Sequence, residues 1–300
     1  MSGGTAPLRD PNLRHWIACA DDFAIDASAI DAVLELIERR RITATSALVD
    51  SPLWPKAAQR LHAQLAQKRP GQSSACADVG LHLNLTQAFA ASAAAVWPLA
   101  ELIARCAVGA LPRGLLEARI EQQLDAFEDA MGRRPDYVDG HQHVHQFAVV
   151  RDALLKILQR RYERDPPWLR STRPPKAVRD LKARGIAALG DRGLRKLAAA
   201  SHFRTNAYLV GVYDFRDDSA AYWQRLTRWL RAGPEASVLM THPALQSARG
   251  DPLAAARPME FAVLGSVQFG DLLAQAQITL TTGTCLFATH QGSAAIFSRL

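Results

Sequence analysis

Cysteine is scarce in this chain, four in 300 residues. They stand at Cys19, Cys76, Cys106 and Cys285, and none forms a CxxC pair. That spacing excludes a zinc knuckle and offers no disulfide framework, so a reducing cytoplasm is the expected compartment. No stretch approaches the roughly 20 consecutive apolar residues a membrane helix needs. The opening MSGGTAPLRDPNLR has no apolar signal core. No Gly-rich loop follows the first strand-like run, which argues against a dinucleotide-binding open sheet. No basic stripe interleaved with aromatic residues occurs, which argues against a nucleic-acid partner.

What is present suits one large α/β domain. Hydrophobic residues make up 48% and charged residues 22%, ordinary values for a globular chain with a sizeable core. The net charge of +7 comes mostly from arginine, as in Arg39–Arg41 and at Arg160, Arg161 and Arg164. These clusters fall at expected helix ends and read as solvated faces.

Residues 1–14 read as a disordered leader, 15–283 as a single domain, and 284–300 as a tail without assignment. Within the domain, strand-like runs alternate with helical spacing. HWIACA (His15–Ala20), Ile42–Val49, Asp78–Thr86, the stretch from Tyr137, Pro166–Arg170, Ala236–Ala244 and Ile278–Thr282 read as strands. Thr205–Gly211 reads as a strand or a loop. Helices are expected near 25–40, 56–68, 115–131, 147–162, 220–231 and 263–276, while Ser171–Ser201 has no clean period. About seven strands alternating with helices imply a parallel sheet with crossover helices, and a β/α barrel fits that count.

The unusual polar residues fall at the C-terminal ends of these strands, where a barrel builds its active site. Asp21 and Asp22 end the first, His82 lies in or after the third, and Asp139, His141, His143 and His145 follow the fourth. Arg170 ends the fifth, and His242 ends SVLM. Adjacent carboxylates repel unless a cation binds one of them. The alternative for the pair is a helix cap before Ile25. Two imidazoles and a carboxylate make a common facial site for a divalent metal, and Asp22, His82 and His141 would form such a set. The bland readings are a core histidine for His82 and a surface tract for HQHVH. His242 could carry a proton near neutral pH or be a turn residue, and Arg170 could hold a carboxylate or a substrate oxygen through its fork of donors or be a surface charge.

At these residues the chain resembles the YdjC-like carbohydrate deacetylases, which include chitooligosaccharide deacetylases and members found in hopanoid biosynthesis gene sets. The family's NADDFG, TSTSLM-like, GLHLxLT, DSHxHVH and HPA segments stand here as CADDFA, TATSALV, GLHLNLT, DGHQHVH and THPA, in the same order. The resemblance runs from about Trp16 to Thr282. It implies an irregular β/α barrel of the NodB-type deacetylase superfamily and metal-dependent removal of an N-acetyl group from a sugar or glycolipid. It also implies Asp22, His82 and His141 as metal ligands, Asp21 as catalytic base, His242 as general acid and Arg170 as the arginine that orients the base. His143, His145 and Asp139 are implied as supporting or substrate-facing residues. Family members are described with magnesium, whereas the ligand set itself suits zinc, cobalt, nickel or manganese better. Family analogy further implies a homodimer.

Two positions depart from the family pattern. Ala24 stands where glycine is usual, so a left-handed backbone there would be strained. Cys19 stands where asparagine is usual. Two rival readings compete: a metal-dependent phosphoesterase or amidohydrolase on a similar barrel, and a non-catalytic carbohydrate-binding homologue. The first commonly places HxH on its first strand, where this chain has Asp-Asp.

Overall fold

The computed structural model describes residues 13–67, 77–89, 96–178, 180–246 and 248–288. The expected leader up to residue 12, Cys76 and the tail from residue 289 lie outside the described residues. In chain order the elements are β1 (Arg14–Phe23), α1 (Ala27–Glu38), β2 (Ala44–Ala47), α2 (Trp54–Ala66), β3 (Asp78–Leu83), α3 (Leu99–Ala107) and α4 (Arg113–Met131). There follow β4 (Tyr137–Gly140), a 3-10 turn (His141–Gln146), α5 (Ala148–Arg161), β5 (Trp168–Leu169), α6 (Leu181–Ala188) and α7 (Asp191–Ala200). The last are β6 (Tyr208–Val210), α8 (Ser219–Ala232), β7 (Ser237–Thr241), α9 (Ala256–Gly265), α10 (Val267–Gln275), β8 (Ile278–Leu280) and α11 (Gly283–Ala288).

The strands run parallel in the order β5-β4-β3-β2-β1-β7-β6, and β8 pairs with Arg14–Trp16 of β1 before β2 joins at Cys19. A parallel bridge between Leu169 and Thr205 brings the two ends of that path together. At this seam Leu169 N–H donates to Arg204 O and Leu209 N–H to Arg173 O, both at 2.8 Å. The result is the expected irregular β/α barrel.

Side chains alternate across each strand, and the alternation sorts the core into two. Trp16, Ala18 and Ala20 of β1, Val79 and Leu81 of β3 and Val138 of β4 pack outward beneath the helices. Ile17 and Cys19 of β1, Tyr137 of β4, Trp168 of β5, Leu209 of β6 and Val238 and Met240 of β7 fill the barrel. Tyr137 and Trp168 stack at 4.3 Å and 15°. A Cβ on Gly80 of β3 would come within 2.5 Å of the Tyr137 ring, so only glycine lets this plug form.

Three local expectations change. The helix expected over 263–276 is two helices, because Ser266 is extended and its side chain accepts from Phe269 N–H, ending α9 and capping α10. The aperiodic stretch after Ser171 holds α6 and α7, the first capped by Asp180. Asp26, not Asp21 or Asp22, caps α1 by accepting from Ala29 N–H at 2.7 Å, which frees the acidic pair for another task.

Candidate metal and catalytic site

The interior phase of each strand runs directly into the polar cluster. On β1 the inward positions are Ile17, Cys19 and then Asp21; on β4, Tyr137 and then Asp139; on β7, Val238, Met240 and then His242. His82 follows Gly80 on β3, and Arg170 follows Trp168 just past β5. Asp22 should point the opposite way. It does not, because Ala20 pairs with Thr45 and Phe23 with Ala47, so Asp21 and Asp22 together oppose Ser46. That bulge, with Asp22 at φ 61, turns both carboxylates into the mouth. Aspartate tolerates this left-handed backbone better than most residues. Ala24 has φ 74 and is completely buried, so the strain expected from its lack of a glycine is present.

Asp22 Oδ1 lies 2.9 Å from His141 Nδ1 and 3.4 Å from His82 Nε2. One donor atom from each of Asp22, His82 and His141 lies within 4.8 Å of the others. His82 Nδ1 is tied to Asp139 Oδ1 at 2.7 Å. A carboxylate behind an imidazole is the usual support for a metal-binding histidine, since it fixes the tautomer and aims the other nitrogen. HQHVH is neither an extended strand nor a regular helix. It is a 3-10 turn with Gln142 and His143 left-handed, and its histidines diverge. His141 faces Asp22, while His145 is fully buried with Nε2 2.8 Å from Arg170 O. His143 Nδ1 is buried without a partner.

Arg170 is fully buried and holds Asp21 with both arms, Nη1 to Oδ2 at 2.6 Å and Nη2 to Oδ1 at 2.8 Å. Its Nη2 also lies 2.6 Å from Asp139 Oδ2, an ion pair off the hydrogen-bonding angle. The chain after Arg170 is anchored in turn: Ser171 N–H donates to Asn206 Oδ1 at 2.7 Å and Thr172 N–H to Asp191 Oδ1 at 2.9 Å. His242 sits at the end of β7 with its Nδ1 buried and unpartnered, edge-on to Phe215.

Among the described ion pairs of the mouth the charges do not balance. Four carboxylates, Asp21, Asp22, Asp139 and Asp251, share two guanidiniums, Arg170 and Arg257, an excess of two negative charges. In the protein alone His82 answers half of this. Burial lowers its proton affinity, but Asp139 and Asp22 outweigh burial and raise it to about 10. Burial would raise Asp21, yet Arg170 outweighs it and holds the carboxyl well below the usual carboxylate range. Burial dominates at the other imidazoles, lowering His143 to about 3 and His145 and His242 to about 4. A doubly charged cation among Asp22, His82 and His141 fits this donor set and cancels the excess.

Two residues of the cluster, Arg257 and Glu260, were not legible in sequence, and Cys19 was marked only as a departure from the family pattern. Arg257 and Glu260, buried one turn apart on α9, reach Asp22 and the His242 backbone. Cys19 Sγ lies 2.8 Å from Arg170 Nη2 and 2.9 Å from Tyr137 Oη, in the space behind Asp21. A buried Arg and Glu three positions apart on an otherwise apolar helix face is the one signal that could have marked α9 beforehand.

A family model described as YdjC-like protein matches residues 16–275. Among curated proteins, the chain is 28% identical over 145 residues to the chitooligosaccharide deacetylase of Escherichia fergusonii, covering 45% of this chain and 51% of that protein. It is 29% identical over 164 residues to a carbohydrate deacetylase of Homo sapiens, covering 50% of this chain and 46% of that one. The chain thus spans about half the length of the curated relatives it matches. The fold is similar to the crystal structure of a protein from Enterococcus faecalis V583 described as a putative cellobiose-phosphate cleavage protein. That similarity has a TM-score of 0.63 at 20% identity over 90% of this chain and 97% of that one.

Proposed function

The chain belongs to the YdjC-like family, and from that premise and the geometry of the mouth we propose that it is a metal-dependent hydrolase that removes an N-acetyl group from an amino sugar. The observation that carries this reading is the pairing of an Asp22–His82–His141 donor set with a second carboxylate, Asp21, which Arg170 grips and keeps ionised a residue away. The named deacetylases among the relatives support the substrate class.

A divalent ion bound by Asp22, His82 and His141 would supply Lewis acidity toward the acetyl carbonyl and lower the pKa of water. The two imidazoles favour zinc, cobalt, nickel or manganese, and magnesium is the poorer match. Asp21 would accept the proton of the attacking water. Arg170 would hold Asp21 in place without taking its charge: Oδ1 also accepts from Ser46 Oγ at 3.3 Å, while Oδ2 accepts from Arg170 Nη1 and keeps a lone pair for the proton. His242 would protonate the leaving nitrogen as the amide bond breaks, giving acetate and a free amine. Because burial leaves His242 neutral at rest, the proton it hands on would first be taken up from solvent as negative charge develops on the attacked acetyl group, and the proton held by Asp21 would return to solvent when acetate leaves.

The test is mass spectrometry on a panel of N-acetylated oligosaccharides and glycolipids, with each of these metals added, beside a phosphate-release assay on sugar phosphates. Metal-dependent loss of an acetyl group is the expected result. Phosphate release without acetate would overturn the reading.

A further inference from the structure

Asp22 divides its two oxygens. Oδ1 faces His82 and His141, while Oδ2 accepts from Arg257 Nη2 at 2.8 Å. Arg257, 1% exposed, is seated in turn by Asp251 through Nε and reaches His242 O with Nη1 at 3.5 Å. Three positions on, the fully buried Glu260 accepts the His242 backbone N–H through Oε2 and the Tyr213 hydroxyl through Oε1. Residues three apart share a helix face, so one face of α9 grips Asp22 on one side and the backbone of His242 on both its N–H and its C=O. The main chain closes the same contact, with Ala244 N–H donating to Arg257 O at 3.2 Å.

We propose that Arg257 is a positioning residue that fixes Asp22 so that a single oxygen faces the metal donors and that ties this setting to the placement of His242. The inference rests on the metal reading given above. Three features require such a device. Asp22 occupies a left-handed bulge position, which persists only where neighbours over-determine it. A carboxylate left free could swing both oxygens toward the cation and displace a coordination position that a catalytic metal keeps open. Finally, the arginine fork meets three acceptors at once from three separate nitrogens, Asp22 Oδ2, Asp251 Oδ2 and His242 O, a spread that the compact ammonium of lysine does not span.

The test uses R257K, which keeps the charge and removes the fork, with D251N as a milder variant that leaves Arg257 in place but unseated. Both are checked for native circular dichroism and then titrated with cobalt(II), whose visible spectrum reports coordination number. R257K is expected to bind cobalt about 10- to 100-fold more weakly, the usual effect of losing a residue that supports a ligand, and with an altered spectrum. D251N is expected to shift in the same direction by less. A lower kcat with unchanged KM should accompany these shifts. If R257K does not fold, D251N carries the test. Cobalt affinity and spectrum equal to the parent in the folded variants would overturn the inference alone. Failure of the parent to bind cobalt, zinc or manganese would overturn the metal reading and the inference with it.

Discussion

Buried aspartates occupy both ends of the barrel, and they behave in opposite ways. At the mouth, Asp21 is clasped by Arg170 and stays ionised although burial works against it. At the base, where β3 and β4 begin, Asp78 accepts from Trp168 Nε1 at 3.1 Å and Thr284 N–H at 2.9 Å, and among the described residues the guanidinium that lines the same cavity, Arg133, pairs with Asp136 instead. Burial, and then the charge of nearby Asp136, raise Asp78 to about 6. It lines a cavity of about 300 Å³ with His62, Asp136 and Thr284. The depth is comparable, so depth does not decide the charge state of a carboxylate. The partner does: a full positive charge keeps the mouth aspartate ionised, while neutral donors at the base let its counterpart drift toward the protonated form.

The sharpest way to break this contrast is to remove the charge at the mouth. Asp21→Asn should lower turnover on the order of 10³-fold, the scale of a lost general base, while zinc content by elemental analysis stays near that of the parent. Unchanged acetate release would end the assignment of Asp21. Next in size, His82→Ala removes a proposed metal donor and leaves Asp139 facing Arg170 alone. It should purify with less than about a tenth of the parent's metal, in line with the weakening expected when a histidine ligand is lost outright rather than its support. Equal metal content would show that the donor set lies elsewhere.

The base calls for a pH experiment. A carboxyl raised in the folded state favours folding at low pH. That contribution is complete below about pH 4, where the unfolded chain is also protonated, and is lost as pH rises through about 6. Asp78→Asn imitates the protonated form, and its amide oxygen can accept from both Trp168 and Thr284. Urea denaturation should find it on the order of 2 kcal/mol more stable than the parent at pH 8, with the gap closing toward pH 4. A constant gap would mean that Asp78 is ionised throughout. The smallest effect belongs to backbone strain at the mouth: Ala24→Gly relieves a left-handed alanine and should raise stability by about 1 kcal/mol, readable as a shift of the thermal midpoint. An unchanged or lower midpoint would show that the bulge is not strained at Ala24.

Much of the site was legible because strand alternation is a local rule. Asp139 and His242 follow inward apolar residues at two-residue spacing, Asp21 follows Ile17 and Cys19, and His82 follows Gly80, so each could be assigned to the mouth from its own segment. The histidine tract was less legible, since its left-handed turn at Gln142 and His143 belongs to no regular period. The stretch after Ser171 concealed two helices because its many basic residues blur the apolar stripe, and only α6 has a side-chain cap, Asp180, while α7 starts after Gly190 with none. Ser266 split a helix that apolar spacing alone would continue.

By itself, then, the sequence determined which side chains are available and which face of each strand they occupy, because backbone geometry imposes the two-residue period whatever the surroundings. Tertiary structure alone decided which charge meets which. Arg170 reaches Asp21 across 149 positions and Arg257 reaches Asp22 across 235. Such pairings depend on how the sheet curls, where a bulge re-aims one carboxylate and how α9 settles over the mouth. Those outcomes follow from the whole chain packing at once, and no short segment encodes them.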